Sequence, residues 1–448
     1  MGCVMKAVLK KLTSFQIILL GFAGVIFTGM LLLMLPVATA SGKSAGFSDS
    51  LFTSVSAVCV TGLITQDTAT YWSGFGQTVI LFLIQIGGLG VVSSAMALVW
   101  LTGKRINLKQ RSTMQEAVSA QQVGGVVRFT RFIVTVTFFI ELMGCLMFMP
   151  VFCRELGFLK GLWYSVFHSV SAFCNAGFDL MGYKEQFSSL TSYSGNVLVN
   201  VTAMMLIICG GLGFATWDDI RENKLQFRKY RMQSKVILVT TGILLVVPMI
   251  YFFFVEFSGW DMSLKDKLLA SAFHTVSPRT AGFNTVSFSS MKQGSICVII
   301  VLMLIGGSSG STAGGMKTNT LAVLVSSAVS VFKHRDDTDF FGRRIDDDNI
   351  HRASALLMLY LTLFISGGVA ISVIEDLPLI DCMFETGSAV ATVGLTTGIT
   401  PSLGTASRCI LMILMFIGRI GGLTFIFAGS IHDKKKFSRL PLDKISIG

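Results

Sequence analysis

Long apolar stretches and short basic stretches alternate along this chain. Apolar runs cover 15–36, 75–101, 132–152, 196–216, 236–255, 296–332, 355–374 and 409–431. Each is about as long as the roughly 20 helical residues that a bilayer demands. Basic clusters at 6–11, 103–111, 221–231, 333–344 and 432–439 precede the first run and follow every second one. Positive charge collects on the cytoplasmic side of membrane spans. The pattern therefore predicts eight spans in four out-and-back pairs, with both ends of the chain cytoplasmic. The first run is too long for a signal-peptide core and is read as a retained span.

Each pair encloses a shorter, weakly apolar segment, and these four resemble one another. They read FTSVSAVCVTGL from Phe52, FHSVSAFCNAGF from Phe167, FHTVSPRTAGF from Phe273 and FETGSAVATVGL from Phe384. Each begins with Phe, carries Ser four residues on, and ends in Gly followed by Leu or Phe. The glycines are Gly62, Gly177, Gly282 and Gly394, spaced 115, 105 and 112 residues apart. Recurrence of a whole unit in matching places marks an internal repeat. A run of about ten to twelve residues is too short to span and suits a re-entrant half-helix. Extended backbone after it is tolerated at membrane depth only inside protein or along a water-filled cavity. Four such loops around one axis would aim carbonyl oxygens at a cation, as carbonyl rings do when they replace the hydration shell of K⁺. Glycine suits the place, because it accepts backbone angles that other residues avoid. The fold expected is an all-α polytopic membrane protein. Its four tandem span–pore-loop–span repeats hold eight transmembrane helices and four re-entrant half-helices around one pseudo-four-fold pore. The repeats are set at 1–112 (pore loop 47–66), 113–232 (160–180), 233–345 (265–285) and 346–448 (378–398, with a cytoplasmic C-terminal tail).

Composition agrees. Of 448 residues 52% are hydrophobic and 14% charged, against about a quarter charged in soluble domains. The net charge of +11 is explained by topology, without a nucleic-acid partner. The cysteines lie singly, several in apolar runs, as packing residues do. No disulfide framework, metal site, phosphate-binding loop or hydrolase motif is present, so the chain is not read as an enzyme.

The four tetrads, with IGGLG at Ile86, GGLGF at Gly210, GGSSGSTAGGMK at Gly306 and IGRIGGLTF at Ile417, carry a resemblance. The chain resembles the Trk/Ktr/HKT superfamily of potassium transporters, most closely its Ktr-type membrane subunits, over essentially its whole length. The resemblance implies a K⁺ filter made of Val60, Thr61 and Gly62, of Asn175, Ala176 and Gly177, of Thr280, Ala281 and Gly282, and of Thr392, Val393 and Gly394. Gly rather than Ser at position 62 favours K⁺ over Na⁺. Uptake stimulated by or coupled to Na⁺ is a further implication.

Five glycines and five hydroxyl residues interrupt the second span of the third pair over 306–319. Glycine is a poor helix former, and broken membrane helices line pathways. The resemblance makes this an intramembrane gating loop: Gly306, Gly307, Ser308, Ser309, Gly310, Ser311, Thr312, Ala313, Gly314 and Gly315, with Lys317 at its end. Lys317 is expected at the cytoplasmic interface or near an acidic group. Arg419 stands inside an apolar span, where a charge needs a cavity or a partner. The resemblance makes it an electrostatic barrier below the filter; its donors could also cap free carbonyls of the broken helix, and the two readings are compatible. Glu141 is read as a buried polar partner, and His168 and His274 as hydrogen-bonded residues rather than proton carriers.

The cytoplasmic loops are too short for a nucleotide-binding domain. The resemblance implies a separate cytosolic ring of RCK-type subunits, of the KtrA and KtrC kind, binding ATP, ADP or cyclic di-AMP. This chain itself needs no cofactor. The resemblance also implies a homodimer with one pore per subunit, seated in the lipid of the cell membrane. The competing expectation is a secondary transporter of another solute or of Na⁺.

Overall fold

The computed structural model describes residues 13–95, 108–117, 125–224 and 226–429. The basic clusters at 6–11 and 432–439, most of 103–111 and the C-terminal tail lie outside the described residues. Repeat one holds α1 (Ser14–Leu33), α2 (Phe47–Val58) and α3 (Gly74–Leu89). A short polar helix, α4 (Leu108–Ala117), precedes repeat two, which holds α5 (Val126–Leu156), α6 (Phe158–Phe173), α7 (Val197–Gly211) and α8 (Phe214–Asn223). Repeat three holds α9 (Met232–Tyr251), α10 (Leu264–Val276), α11 (Gln293–Ile305) and α12 (Thr318–Phe332), and ends in a two-residue hairpin, β1 (Asp339–Phe340) and β2 (Arg343–Arg344). Repeat four holds α13 (Asp347–Glu375), α14 (Leu379–Val390), α15 (Thr405–Ile420) and α16 (Gly422–Gly429).

The first helix of each repeat is long and apolar enough to cross a membrane: α1, α5, α9 with the turns that extend it to Gly259, and α13. Only about a third of each is buried. Their outer faces carry large apolar side chains such as Phe27, Phe139, Val247 and Val373. An apolar face of that size left uncovered is a lipid-facing surface. The start of α1 is closed by a capping box: the Thr13 hydroxyl accepts from Gln16 N (3.3 Å), and the Gln16 side chain accepts from Thr13 N (3.1 Å). Two otherwise unpaired helix-end donors are satisfied this way.

The half-helices are α2, α6, α10 and α14, of 12, 16, 13 and 12 residues. At 1.5 Å per residue they reach roughly 18–24 Å, short of a bilayer. Their leading phenylalanines, Phe52, Phe167, Phe273 and Phe384, are all fully buried.

One break in a span is expected, in the third repeat. The structure carries a break at the matching place in all four. The chain turns with positive φ at Gly90 (84°), Gly213 (88°), Gly306 (63°) and Gly421 (90°). Between α7 and α8 the axis bends by 94°. Three residues ahead of three of these breaks stand Gly87, Gly210 and Gly418. A methyl group at any of them would collide with the last-turn carbonyls of Val58, Phe173 and Val390 in the adjoining half-helices. Glycine there lets each inner helix seat directly under a half-helix end. Hydropathy does not mark these breaks, because apolar residues stand close on both sides of each turning glycine, Leu89 and Val91, Leu212 and Phe214, and Ile420 and Leu423.

Candidate functional site

The glycines of the four tetrads meet in one ring, in chain order. A methyl group built on Gly62 would lie 3.0 Å from Gly177 Cα, one on Gly177 2.9 Å from Gly282 Cα, one on Gly282 3.3 Å from Gly394 Cα, and one on Gly394 3.0 Å from Gly62 Cα. The ring closes within a single chain. The same virtual methyl groups run into the carbonyl oxygens of Ala176, Ala281, Val393 and Thr61, so each carbonyl stands against the neighbouring glycine. All four glycines have positive φ, from 70° to 92°. Any side chain here would be strained and would also push a carbonyl out of place.

The residue two before each glycine is left-handed as well: Val60 (φ 56°), Asn175 (58°), Thr280 (69°) and Thr392 (52°). Three of these are β-branched, for which positive φ is a genuine outlier. Such strain costs about 1–3 kcal/mol per residue and gathers at functional sites, where surrounding contacts hold it. Nothing in the residue types announces this conformation, and Val and Thr argue against it.

The contacts that hold it come from the serine four residues after each Phe. Gly62 N donates to Ser56 Oγ (3.0 Å) and Gly394 N to Ser388 Oγ (2.9 Å). Ser171 Oγ donates to the Phe178 carbonyl (2.6 Å) and Ser277 Oγ to that of Phe283. The backbone carbonyls of Ser56, Ser171 and Ser388 also accept from Thr61, Ala176 and Val393 N at 2.7–2.8 Å. Repeat three departs, since it has one residue fewer between Ser277 and Gly282 and Pro278 inside the turn. Ala281 N there reaches Ser277 O at 2.9 Å. Replacing Ser388 by Ala should strand the buried Gly394 N–H, a loss of about 1–3 kcal/mol. The expected result is a lower unfolding temperature in detergent, with Ser388→Thr closer to the parent.

The residue after each Phe in repeats two to four binds the half-helix or the chain rising from the filter, a role expected for the two histidines and not for Glu385. His168 Nδ1 lies 2.7 Å from the Tyr164 carbonyl, and its Nε2 accepts from Leu180 N at 3.3 Å. His274 Nδ1 lies 3.0 Å from the Ala270 carbonyl. Glu385, fully buried, accepts from Thr396 Oγ1 (2.5 Å), Thr400 Oγ1 (2.5 Å) and Thr397 N (3.0 Å). Glu141 is buried and accepts from Gln85 Nε2 at 3.3 Å.

Directly under the ring runs the segment from Gly306 to Lys317. It is stitched to the broken helices of its neighbours. Ser308 N donates to Gly211 O (3.0 Å), Thr312 N to Gly210 O (3.2 Å), and Thr312 Oγ1 to Phe173 O (3.1 Å) in repeat two. Gly315 N donates to Gly418 O (3.1 Å) in repeat four. A methyl group on Gly314 would run into the Thr392 side chain, and one on Gly315 would lie 2.9 Å from Ala391 Cα. Within the segment, Ser311 Oγ donates to Ser308 O (2.6 Å) and Thr318 Oγ1 to Ser308 Oγ (3.1 Å). Gly307, Ser309, Gly310 and Ala313 complete it. Phe214 N, the first residue of α8, donates to Gly310 O at 2.9 Å.

Arg419 clasps this segment to repeat one. Its guanidinium donates to the carbonyls of Thr312, Gly87 and Gly88, the last at 3.0 Å. The three carbonyls lie at the last turn of α3 and in the non-helical segment, so the guanidinium caps backbone acceptors there, which is compatible with a barrier role. Lys317 binds the loop that it ends. Its ammonium folds back onto the Ala313 (2.7 Å) and Gly314 (3.1 Å) carbonyls, and among the described residues no ion pair includes it. Below lies a cavity of about 160 Å³ lined by Gly88, Gly310, Ser311, Lys317 and Arg419, among others.

A sequence model of the family described as TrkH, cation transport protein, matches residues 9–440. The chain belongs to this family. It is accordingly a multi-pass membrane protein that transports cations, not an enzyme. The chain is 40% identical over 422 residues to the Ktr system potassium uptake protein B of Bacillus subtilis, covering 93% of each chain. It is 38% identical to the potassium/sodium uptake protein NtpJ of Enterococcus hirae, covering 96% of this chain and 95% of that one. In three dimensions it is similar to the crystal structure of the potassium transporter TrkH from Vibrio parahaemolyticus. The TM-score is 0.72 at 16% identity, over 93% of this chain and 84% of that one.

Proposed function

We propose that this chain is the ion-translocating subunit of a potassium uptake system. The observation that carries the proposal is the closed ring of four left-handed glycine loops within one chain. Thr61, Ala176, Ala281 and Val393 would present carbonyl oxygens to a dehydrated K⁺, with Val60, Asn175, Thr280 and Thr392 supplying the layer beneath. The half-helices would aim the negative ends of their dipoles at the same axis. The relatives named for potassium uptake, at 40% and 38% identity over nearly full length, support the choice of ion. The segment from Gly306 to Gly315, held by Arg419, would be the gate. In this reading the chain divides at 112, 232 and 345 into the four repeats, and both termini face the cytoplasm of the cell that bears it.

We also propose a cytosolic regulatory ring as partner, since three relatives are named as parts of a Ktr system. An RCK-type ring binding a nucleotide, docked on a homodimer of this chain, fits a subunit whose sequence carries no phosphate-binding loop. Na⁺ enters as a stimulating or coupled ion, in line with the relative named for potassium and sodium.

The test is K⁺ uptake in cells lacking their own uptake systems, with the partner subunit supplied, with and without Na⁺. Restored growth at low K⁺ is the expected result. No uptake with a partner present would turn the reading toward a carrier of another solute. Gly62→Ser adds a side chain at φ 92° against the Ala176 carbonyl. It should reduce K⁺-over-Na⁺ discrimination by about tenfold, equivalent to about 1.4 kcal/mol, measured as competing flux of the two ions.

A further inference from the structure

Arg279 stands three residues before Gly282. The corresponding positions before Gly62, Gly177 and Gly394 hold Cys59, Cys174 and Ala391, so one of four otherwise similar places carries a cation. Its backbone belongs to the ring's support, since Asn175 Nδ2 lies 3.5 Å from the Arg279 carbonyl and 3.2 Å from Thr280 Oγ1. Its side chain turns away from the axis, into the wall between repeats two and three, and is only 6% exposed. There it lines a small cavity with Ile207, Ile208, Gly211, Leu245 and Val276. One guanidinium nitrogen donates to Thr241 Oγ1 at 3.3 Å, and Nε has no partner. None of the ion pairs among the described residues includes Arg279.

An arginine buried among aliphatic side chains at membrane depth is costly and marks a functional place. Arg419 meets that cost with three carbonyls. Arg279 meets it with one hydroxyl, so its field is little cancelled locally. In a low-dielectric wall that field reaches much further than it would in water. Rapid permeation requires a site that binds an ion well enough to admit it and weakly enough to release it. A carbonyl ring backed by four helix dipoles is biased toward holding on.

We propose that Arg279 is a flux-setting positioning residue. Its unneutralised charge behind the ring weakens K⁺ binding there and speeds release. The proposal rests on the potassium reading above. It makes the third loop electrostatically unlike the other three. That loop is also the one shortened by a residue, and its repeat contributes the segment lying under the ring.

The experiment measures initial K⁺ uptake against external K⁺ in cells lacking other uptake systems, with the partner subunit supplied, for the parent, Arg279→Gln and Arg279→Lys. The parent must transport, and absence of uptake there would count against the potassium reading itself. With the parent active, Arg279→Gln should lower the half-saturating K⁺ concentration several-fold and lower the maximal rate. Arg279→Lys, which keeps the charge, should retain the parental half-saturation. A merely structural role would cost maximal rate in both variants without tightening half-saturation. Unchanged or weaker half-saturation in Arg279→Gln, or equal tightening in both, would overturn the proposal. Should Arg279→Gln fail to reach the membrane, Thr241→Asp supplies a carboxylate at the existing contact and neutralises the arginine in place. It should then tighten half-saturation in the same direction, and a parental value would refute the idea.

Discussion

Gly282→Asp should abolish K⁺ uptake while the chain still reaches the membrane. At φ 81° the position is open to glycine and strained for aspartate. The new Cβ would start 2.5 Å from the Val393 carbonyl oxygen and 2.9 Å from Gly177 Cα, so two neighbouring loops must move at once. Backbone is what it meets, and backbone cannot swing aside as a long side chain can. Displacement worth about 3 kcal/mol corresponds to roughly a hundredfold in rate. A carboxylate added to the ring would also hold a cation too firmly to pass it on. Uptake assays on cells with matched amounts of membrane-inserted protein decide the matter. Near-normal flux from Gly282→Asp would remove the third loop from the ion path.

Deleting Gly310 to Gly314 should raise K⁺ flux, by about tenfold if the closed loop is favoured by about 1.4 kcal/mol. The deleted stretch contains Thr312, whose N–H and hydroxyl bind Gly210 and Phe173 and whose carbonyl is held by Arg419. It also contains Gly314, wedged against Thr392 under the ring. Without it, the remaining segment loses its tie to repeat one and keeps only the Ser308 N–Gly211 O bond to repeat two, so it no longer underlies the axis. The ring keeps its own serine braces, so ion discrimination should change little. Equal or lower flux in a chain that folds and inserts would show that the segment is packing and not a barrier. The two results are independent. The first removes the ring and leaves the loop intact, while the second removes the loop and leaves the ring.

Much of this was legible without coordinates. The eight apolar runs, the basic clusters and the four Phe-to-Gly segments were enough to set up four repeats, because lipid requires long apolar helices and internal duplication preserves spacing. Glycine at 62, 177, 282 and 394 pointed to backbone that no side chain could accompany. Other features were hidden for identifiable reasons. Val60, Thr280 and Thr392 are left-handed against their own preference, held by hydrogen bonds from residues around them. The breaks at Gly90, Gly213 and Gly421 are invisible to hydropathy, since apolar residues flank each turning glycine. Lys317 reads as an interfacial anchor or a partner of an acidic group, and its closure on the carbonyls of its own loop depends on a backbone path that the sequence does not show.

By itself, then, the chain's order of residues determined a membrane protein of four span–loop–span repeats, with glycine at the turning point of every loop. Periodicity, length and composition are local quantities, and a bilayer imposes them on each segment separately. Only the tertiary structure decided that the four glycines abut in one closed ring, that the third repeat's loop lies beneath it, and that Arg419 rather than Arg279 binds that loop. Those outcomes depend on which backbone carbonyls lie within reach of each side chain, and that is set by packing between segments more than a hundred residues apart.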